Sequence, residues 1–225
     1  MNTQLTDQQI EFYRQKGFLV IDEFLADTEL ASWRQAVDEA VAQRVGRNGT
    51  YHHQRGEDDY YKNVFVQCVN LWQTSEKIKQ LVLNPQLGRL AADLAGVKGV
   101  RLYHDHALIK KPWANPTNWH LDNPSDPYFS HQSTMLWIAL DDATIENGCM
   151  HMLPGNYLPL RHHHTTDCEI VPERIDKTKA VPVELRAGGV IYFTAMIPHY
   201  TPPNSTSHRR RALQFQYRGI STREV

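Results

Sequence analysis

The sequence predicts a mainly β protein, a sandwich or jelly roll buttressed by N-terminal helices. Helical patterning prevails up to about residue 96. After it come about eight short apolar or alternating segments, separated by turns rich in Gly, Pro and Asn. No repeat, low-complexity segment or linker divides the 225 residues. Residues 1–225 are therefore expected to form one domain, with 1–96 mostly helical buttress and 97–225 the jelly-roll core.

The helical part opens at Thr6, which precedes Asp7-Gln8-Gln9 as a cap with Gln9 at the capping-box position. Gly17 ends this helix, and Phe18 to Ile21 reads as a buried strand. Asp27 is expected to cap a longer helix from about Thr28 to Arg44, with Leu30, Trp33, Ala36, Val37 and Val41 on its inner face. The polar residues 45–62 read as a loop, carrying Tyr51, His52, His53, Tyr60 and Tyr61. Ser75 begins a third helix. Pro85 begins a fourth, with Leu87, Leu90, Ala91 and Leu94 inward and a stop near Gly96.

In the second part, Val100 to Ile109 alternates as a half-buried strand. Lys111-Pro112 ends it, because proline has no N–H to give to a ladder. Asn118 to Asn123 is expected to be a strand. Thr134 to Leu140 is clearer still, and Met150 to Leu153 is short. Val181 to Leu185 contains Pro182 and so belongs near an edge. Val190 to Phe193 and Arg211 to Tyr217 complete the set. Residues 123–132 and 156–180 read as connections, the second containing His162-His163-His164.

Composition excludes several functions. A net charge of -1 leaves no footprint for nucleic acid or a membrane surface. No apolar run approaches the ~20 residues needed to span a bilayer. The first residues lack the basic and apolar regions of a secretory signal. The three cysteines, Cys68, Cys149 and Cys168, read as free thiols in a reducing compartment. The expectation is a cytoplasmic protein, monomer or homodimer, that acts on a small molecule.

The chemistry centres on His120 and Asp122. On a strand, residues two apart leave the same face, so an imidazole and a carboxylate would enter one cavity. Such a pair is two members of the 2-His-1-carboxylate facial triad that holds non-haem Fe(II). The last strand supplies more. Arg210, Ala212, Gln214 and Gln216 share one face, and Arg211, Leu213, Phe215 and Tyr217 share the other. The second face would pack on the helices, leaving Arg210 in the lumen. A buried guanidinium needs an anion, and its planar fork suits a carboxylate. His199, eleven residues before Arg210 across a Pro-rich turn, can reach the same end of the barrel. Satisfied core histidines at 120 and 199, or a surface cation at 210, are the plainer alternatives.

Several blocks resemble the phytanoyl-CoA dioxygenase family of Fe(II)- and 2-oxoglutarate-dependent oxygenases. They are Leu5-Thr6 to Phe24-Leu25, Arg101-Leu102-Tyr103-His104-Asp105 to Lys111-Pro112, the His120–Asp122 motif, and Trp137 to Ala143. Glu146-Asn147-Gly148-Cys149, Leu153 to Asn156, and His199 with Arg210-Arg211-Ala212 follow in order. The resemblance implies a double-stranded β-helix, with Fe(II) on His120, Asp122 and His199 as the catalytic centre. It implies that Arg210 binds the distal carboxylate of 2-oxoglutarate, that the Thr201 hydroxyl donates to that carboxylate, and that Trp137 lies beside the co-substrate. Asp105 and Asn118 become candidate substrate contacts.

The implied activity is hydroxylation of a small metabolite, with O₂ consumed and succinate and CO₂ released. Asp122 argues against a halogenase, which would need a small residue there to admit halide. A non-oxidative metal enzyme, or a small-molecule binding protein, on the same jelly roll is the alternative.

Overall fold

The computed structural model describes residues 1–48, 60, 63–122, 132–155 and 175–221. All but the last residue of the expected connection at 123–132, most of the excursion at 156–180 including His162-His163-His164, and Tyr51, His52, His53 and Tyr61 lie outside the described residues.

Helix α1 spans Asp7–Lys16. Its capping box is formed: the Thr6 hydroxyl accepts the Gln9 N–H at 3.2 Å, and the Gln9 side chain accepts the Thr6 N–H at 2.9 Å. Gly17 ends it at φ 84°, a left-handed position that glycine adopts without a Cβ penalty. Strand β1, Phe18–Ile21, follows. Helix α2 spans Asp27–Asn48, four residues beyond the expected end. Asp27 is its first residue rather than its cap. Glu29 holds the start instead, accepting the Ala26 N–H at 3.0 Å and the N-terminal ammonium at 2.6 Å. Ser75 caps α3, Glu76–Val82, and Pro85 opens α4, Pro85–Ala95.

The strands are β2 (Val66–Val69), β3 (Val100–Lys110), β4 (Ser133–Ala139), β5 (Met150–Met152), β6 (Val181–Val183), β7 (Val190–Thr194), β8 (His199–Tyr200) and β9 (Arg210–Gly219). They form two antiparallel sheets, ordered β1-β7-β4-β9-β3-β2 and β6-β5-β8. This is the double-stranded β-helix. Pro182 sits on the edge strand of the smaller sheet, where its missing N–H costs no ladder bond. The first 96 residues are more than a buttress. They supply both edge strands of the large sheet, β1 and β2.

The core has two layers. Leu136, Ile138, Leu213, Phe215 and Tyr217 pack with Trp33, Val37, Ile78, Leu87 and Leu94 of the helices. On the opposite face, Met135, Trp137, Ala139 and Ala212 pack with Met150, Met152 and Val183 of the smaller sheet. Each fully buried large side chain stabilises the fold by about 1.5–3 kcal/mol. The alternation of β9 therefore decides which of its arginines faces inward. Arg211 turns outward to bind Asp141 at 2.6 Å and Asp38 at 2.7 Å, and Arg209 reaches Asp38 at 3.2 Å. Arg210 points into the barrel and is fully buried.

Candidate active site

His120 does not lie in a regular strand as expected. It forms an isolated antiparallel bridge with His199, through mutual backbone hydrogen bonds of 3.1 and 3.2 Å. The Thr117 N–H donates to the Thr201 carbonyl at 2.9 Å, one residue out of that register. A bridge of this kind sets two side chains on the same face, and the imidazole centroids stand 4.2 Å apart. Asp122, two residues on, returns to that face. Its Oδ1 lies 3.6 Å from His120 Nε2 and 3.8 Å from His199 Nε2.

Two further hydrogen bonds orient the imidazoles. His120 Nδ1 donates to the Asn118 carbonyl at 2.8 Å, and His199 Nδ1 donates to the Ile197 carbonyl at 3.0 Å. Each bond reaches two residues back. With Nδ1 carrying the hydrogen, the lone pair is on Nε2, which faces Asp122. Ligand atoms from all three residues lie within 4.8 Å of one another. This donor set could hold a divalent metal and fits the facial triad.

Arg210 enters the same cavity from the large sheet. Its Nη2 donates to the Gly148 carbonyl at 3.1 Å, while Nε and Nη1 are buried with no partner among the described residues. An anion is the natural partner for these two donors. The Trp137 ring centroid is 5.1 Å from the guanidinium carbon and that of Phe65 is 5.6 Å, so aromatic faces flank the cation. Burial pushes its pKa down to about 10. Thr201 is buried and lines the same cavity, its N–H donating to the Thr117 hydroxyl at 2.7 Å.

The structure brings together His120, Asp122, His199, Arg210, Thr201, Trp137 and Asn118, all lining one cavity of about 510 Å³. It does not bring Asp105 there. The Asp105 carboxylate faces the helical side, where it accepts the N–H groups of Leu71 and Trp72 at 3.0 Å each and holds the 3₁₀ turn Leu71–Gln73. A β-bulge explains the difference. Leu102 pairs with Tyr217 but His104 pairs with Gln216, leaving Tyr103 as an extra residue. Before the bulge the even residues of β3 face the helices, and after it they face the cavity. His104, His106 and Leu108 line the cavity in consequence.

Sequence reasoning missed Lys110. It is the last residue of β3, directly opposite Arg210 and fully buried. Its Nζ donates to the Asn115 carbonyl at 2.7 Å and the Thr201 hydroxyl at 3.3 Å. Burial, and then repulsion from Arg210, push its pKa down to about 7. Its parity with His104, His106 and Leu108 was the available signal.

Comparisons with known proteins show the family. The family model of phytanoyl-CoA dioxygenase (PhyH) matches residues 13–212. A methylphosphonate hydroxylase from Gimesia maris is 28% identical over 222 residues, covering 98% of this chain and 84% of that protein. The crystal structure of SnoK, a non-haem α-ketoglutarate-dependent carbocyclase from nogalamycin biosynthesis, has a TM-score of 0.83 and 26% identity. It covers 97% of this chain and 86% of that one. EvdO2 from Micromonospora carbonacea var. aurantiaca, crystallised with 2-oxoglutarate, has a TM-score of 0.76 and 25% identity, covering 99% and 94%. The chain belongs to the phytanoyl-CoA dioxygenase family, and is an iron- and 2-oxoglutarate-dependent dioxygenase of small molecules.

Proposed function

We propose that the enzyme hydroxylates a C–H bond of a small polar substrate, with iron on His120, Asp122 and His199 and the distal carboxylate of 2-oxoglutarate on Arg210 and Thr201. One observation carries the assignment. A triad of metal-binding atoms and a buried guanidinium with two unpartnered donors line the same cavity. A non-oxidative metal enzyme would leave that guanidinium without a clear purpose.

With iron and 2-oxoglutarate bound, the site can activate O₂, one oxygen atom leaving in succinate and the other in the product. The chain's own residues provide position and shielding. The carbonyls of Asn118 and Ile197 hold the imidazoles in one tautomer. Arg210 offers its unpartnered guanidinium donors to the carboxylate, and the Thr201 hydroxyl adds a donor. Trp137 and Phe65 cover the guanidinium and keep water from it.

The cavity must admit co-substrate and substrate together, and about 510 Å³ leaves room for a small substrate only. Its remaining wall carries Gln67, Asn70, His104, His106, Gln214 and Gln216, which suits a polar molecule. The methylphosphonate of the Gimesia maris relative is such a molecule, and small phosphonates are the first substrates to try. Buried free thiols at Cys68 and Cys149 support a reducing, cytoplasmic setting.

The test is incubation of anaerobically purified enzyme with Fe(II), 2-oxoglutarate, O₂ and a panel of small phosphonates and other polar metabolites. Succinate should form with a product heavier by one oxygen atom. A product with no added oxygen, such as a newly closed ring, would overturn hydroxylation. Absence of succinate under all conditions would overturn the site assignment.

A further inference from the structure

Lys110 is not explained by the established chemistry of the site. Its ammonium has three donors. The two it uses go to the Asn115 carbonyl and the Thr201 hydroxyl, neither of which is charged. Among the described residues it forms no ion pair, and the charge acting on it is that of Arg210. The two cations share one glycine. The Gly148 carbonyl accepts from Arg210, and a Cβ at Gly148 would come within 2.8 Å of Lys110 Cε. Two buried cations side by side without a counter-ion are costly, and an entering anion relieves the cost.

We propose that Lys110 is the second cation of the co-substrate subsite, a positioning residue that acts through Thr201 and couples arrival of the carboxylate to uptake of a proton. This rests on the assignment of Arg210 and Thr201 to 2-oxoglutarate. Without an anion, Lys110 near pH 8 is mostly a neutral amine, because burial and Arg210 disfavour its charge. A carboxylate on Arg210 reverses the balance, and Lys110 takes a proton from solvent. The ammonium then donates to the Thr201 oxygen. That leaves the Thr201 hydrogen free to donate to the carboxylate. Among the described residues, the titratable groups around Lys110 are Arg210 on β9 and the Cys149 thiol next to Gly148, which burial pushes up to about 11. Phe65, Asn115 and Thr201, which contact the Lys110 ammonium, do not titrate.

The experiment is calorimetric titration of 2-oxoglutarate into the Mn(II)-loaded protein at pH 8, in two buffers of different protonation enthalpy. Wild type should take up about one proton per co-substrate bound. Lys110→Met should bind 2-oxoglutarate at least about tenfold more weakly and take up no proton, with Mn(II) affinity unchanged. Wild-type heats that do not depend on the buffer overturn the proposal without recourse to any variant. A Lys110→Met protein that matches wild type in affinity and proton uptake also overturns it. Arg210→Met separates the two levels of the argument. If it binds 2-oxoglutarate normally, the subsite assignment falls and the proposal falls with it. If it binds weakly while Lys110→Met behaves as wild type, only the role of Lys110 falls.

Discussion

Lys110 and Arg210 stand directly opposite each other on β3 and β9, both without solvent exposure. Like charges facing each other across a strand pair oppose folding, so on the proposed reading this corner trades stability for an anion site. The trade has a measurable pH dependence. Lys110 titrates at about 7 in the folded protein, against an ordinary value of 10.5. Between those values the unfolded chain binds the extra proton, so stability rises with pH across this window. The cost of charging Lys110 is fully present below pH 7 and is gone above about pH 10.5. Lys110→Met should therefore be more stable than wild type at pH 6, by up to about 5 kcal/mol. The difference should shrink toward zero by pH 10.5. Denaturant melts of both proteins across that range check it. A difference independent of pH would show that Lys110 keeps its ordinary pKa in the folded protein and stays charged there.

Arg210→Lys should raise the KM for 2-oxoglutarate by about a hundredfold, since an ammonium loses the bidentate fork. Metal affinity should be unchanged. Steady-state kinetics with a metal-binding control decide this, and an unchanged KM removes Arg210 from the subsite.

Asp122→Ala removes the carboxylate that lies between His120 and His199. Iron affinity should fall at least about a hundredfold, and turnover should be lost. An Asp122→Ala protein with normal turnover would mean that the metal sits elsewhere.

Gly148 has φ 91°, and a Cβ there would come within 2.8 Å of both Lys110 and the Pro202 carbonyl. Gly148→Ala should lower stability by about 2–4 kcal/mol and weaken 2-oxoglutarate binding, because both cations depend on this turn. Thermal melts and co-substrate titration report the two effects. Loss of neither would contradict the packing of this corner.

Asp105→Asn should leave kcat/KM within about twofold of wild type and cost about 1–2 kcal/mol of stability, because the carboxylate caps a 3₁₀ turn away from the cavity. A large kinetic loss at full stability would return Asp105 to the reaction.

Arg210 was legible in the sequence because β9 pairs without interruption and a period of two runs its whole length. The capping box at Thr6 was legible because it is local. Asp105 was a candidate through the resemblance alone. One inserted residue at Tyr103 sets it on the helical side, and a bulge has no strong signature in a single sequence. Lys110 was hidden because β3 reaches one residue further than its alternation suggests, up to the residue before Lys111-Pro112. His120 and Asp122 were found as a spaced pair even though their backbone forms a single bridge rather than a strand. The sharing of a face needs only extended backbone, not a full ladder. The helix-to-β order of the chain also concealed that β1 and β2 are edge strands of the large sheet, since pairing across such distances is not a local property.

The most direct test of the account is an anaerobic crystal structure with Mn(II) and 2-oxoglutarate, the metal located by anomalous scattering. The account predicts one metal ion held by His120 Nε2, His199 Nε2 and the Asp122 carboxylate, with the distal carboxylate of 2-oxoglutarate on Arg210. A metal bound by other residues, or a co-substrate whose distal carboxylate lies away from Arg210, would contradict it.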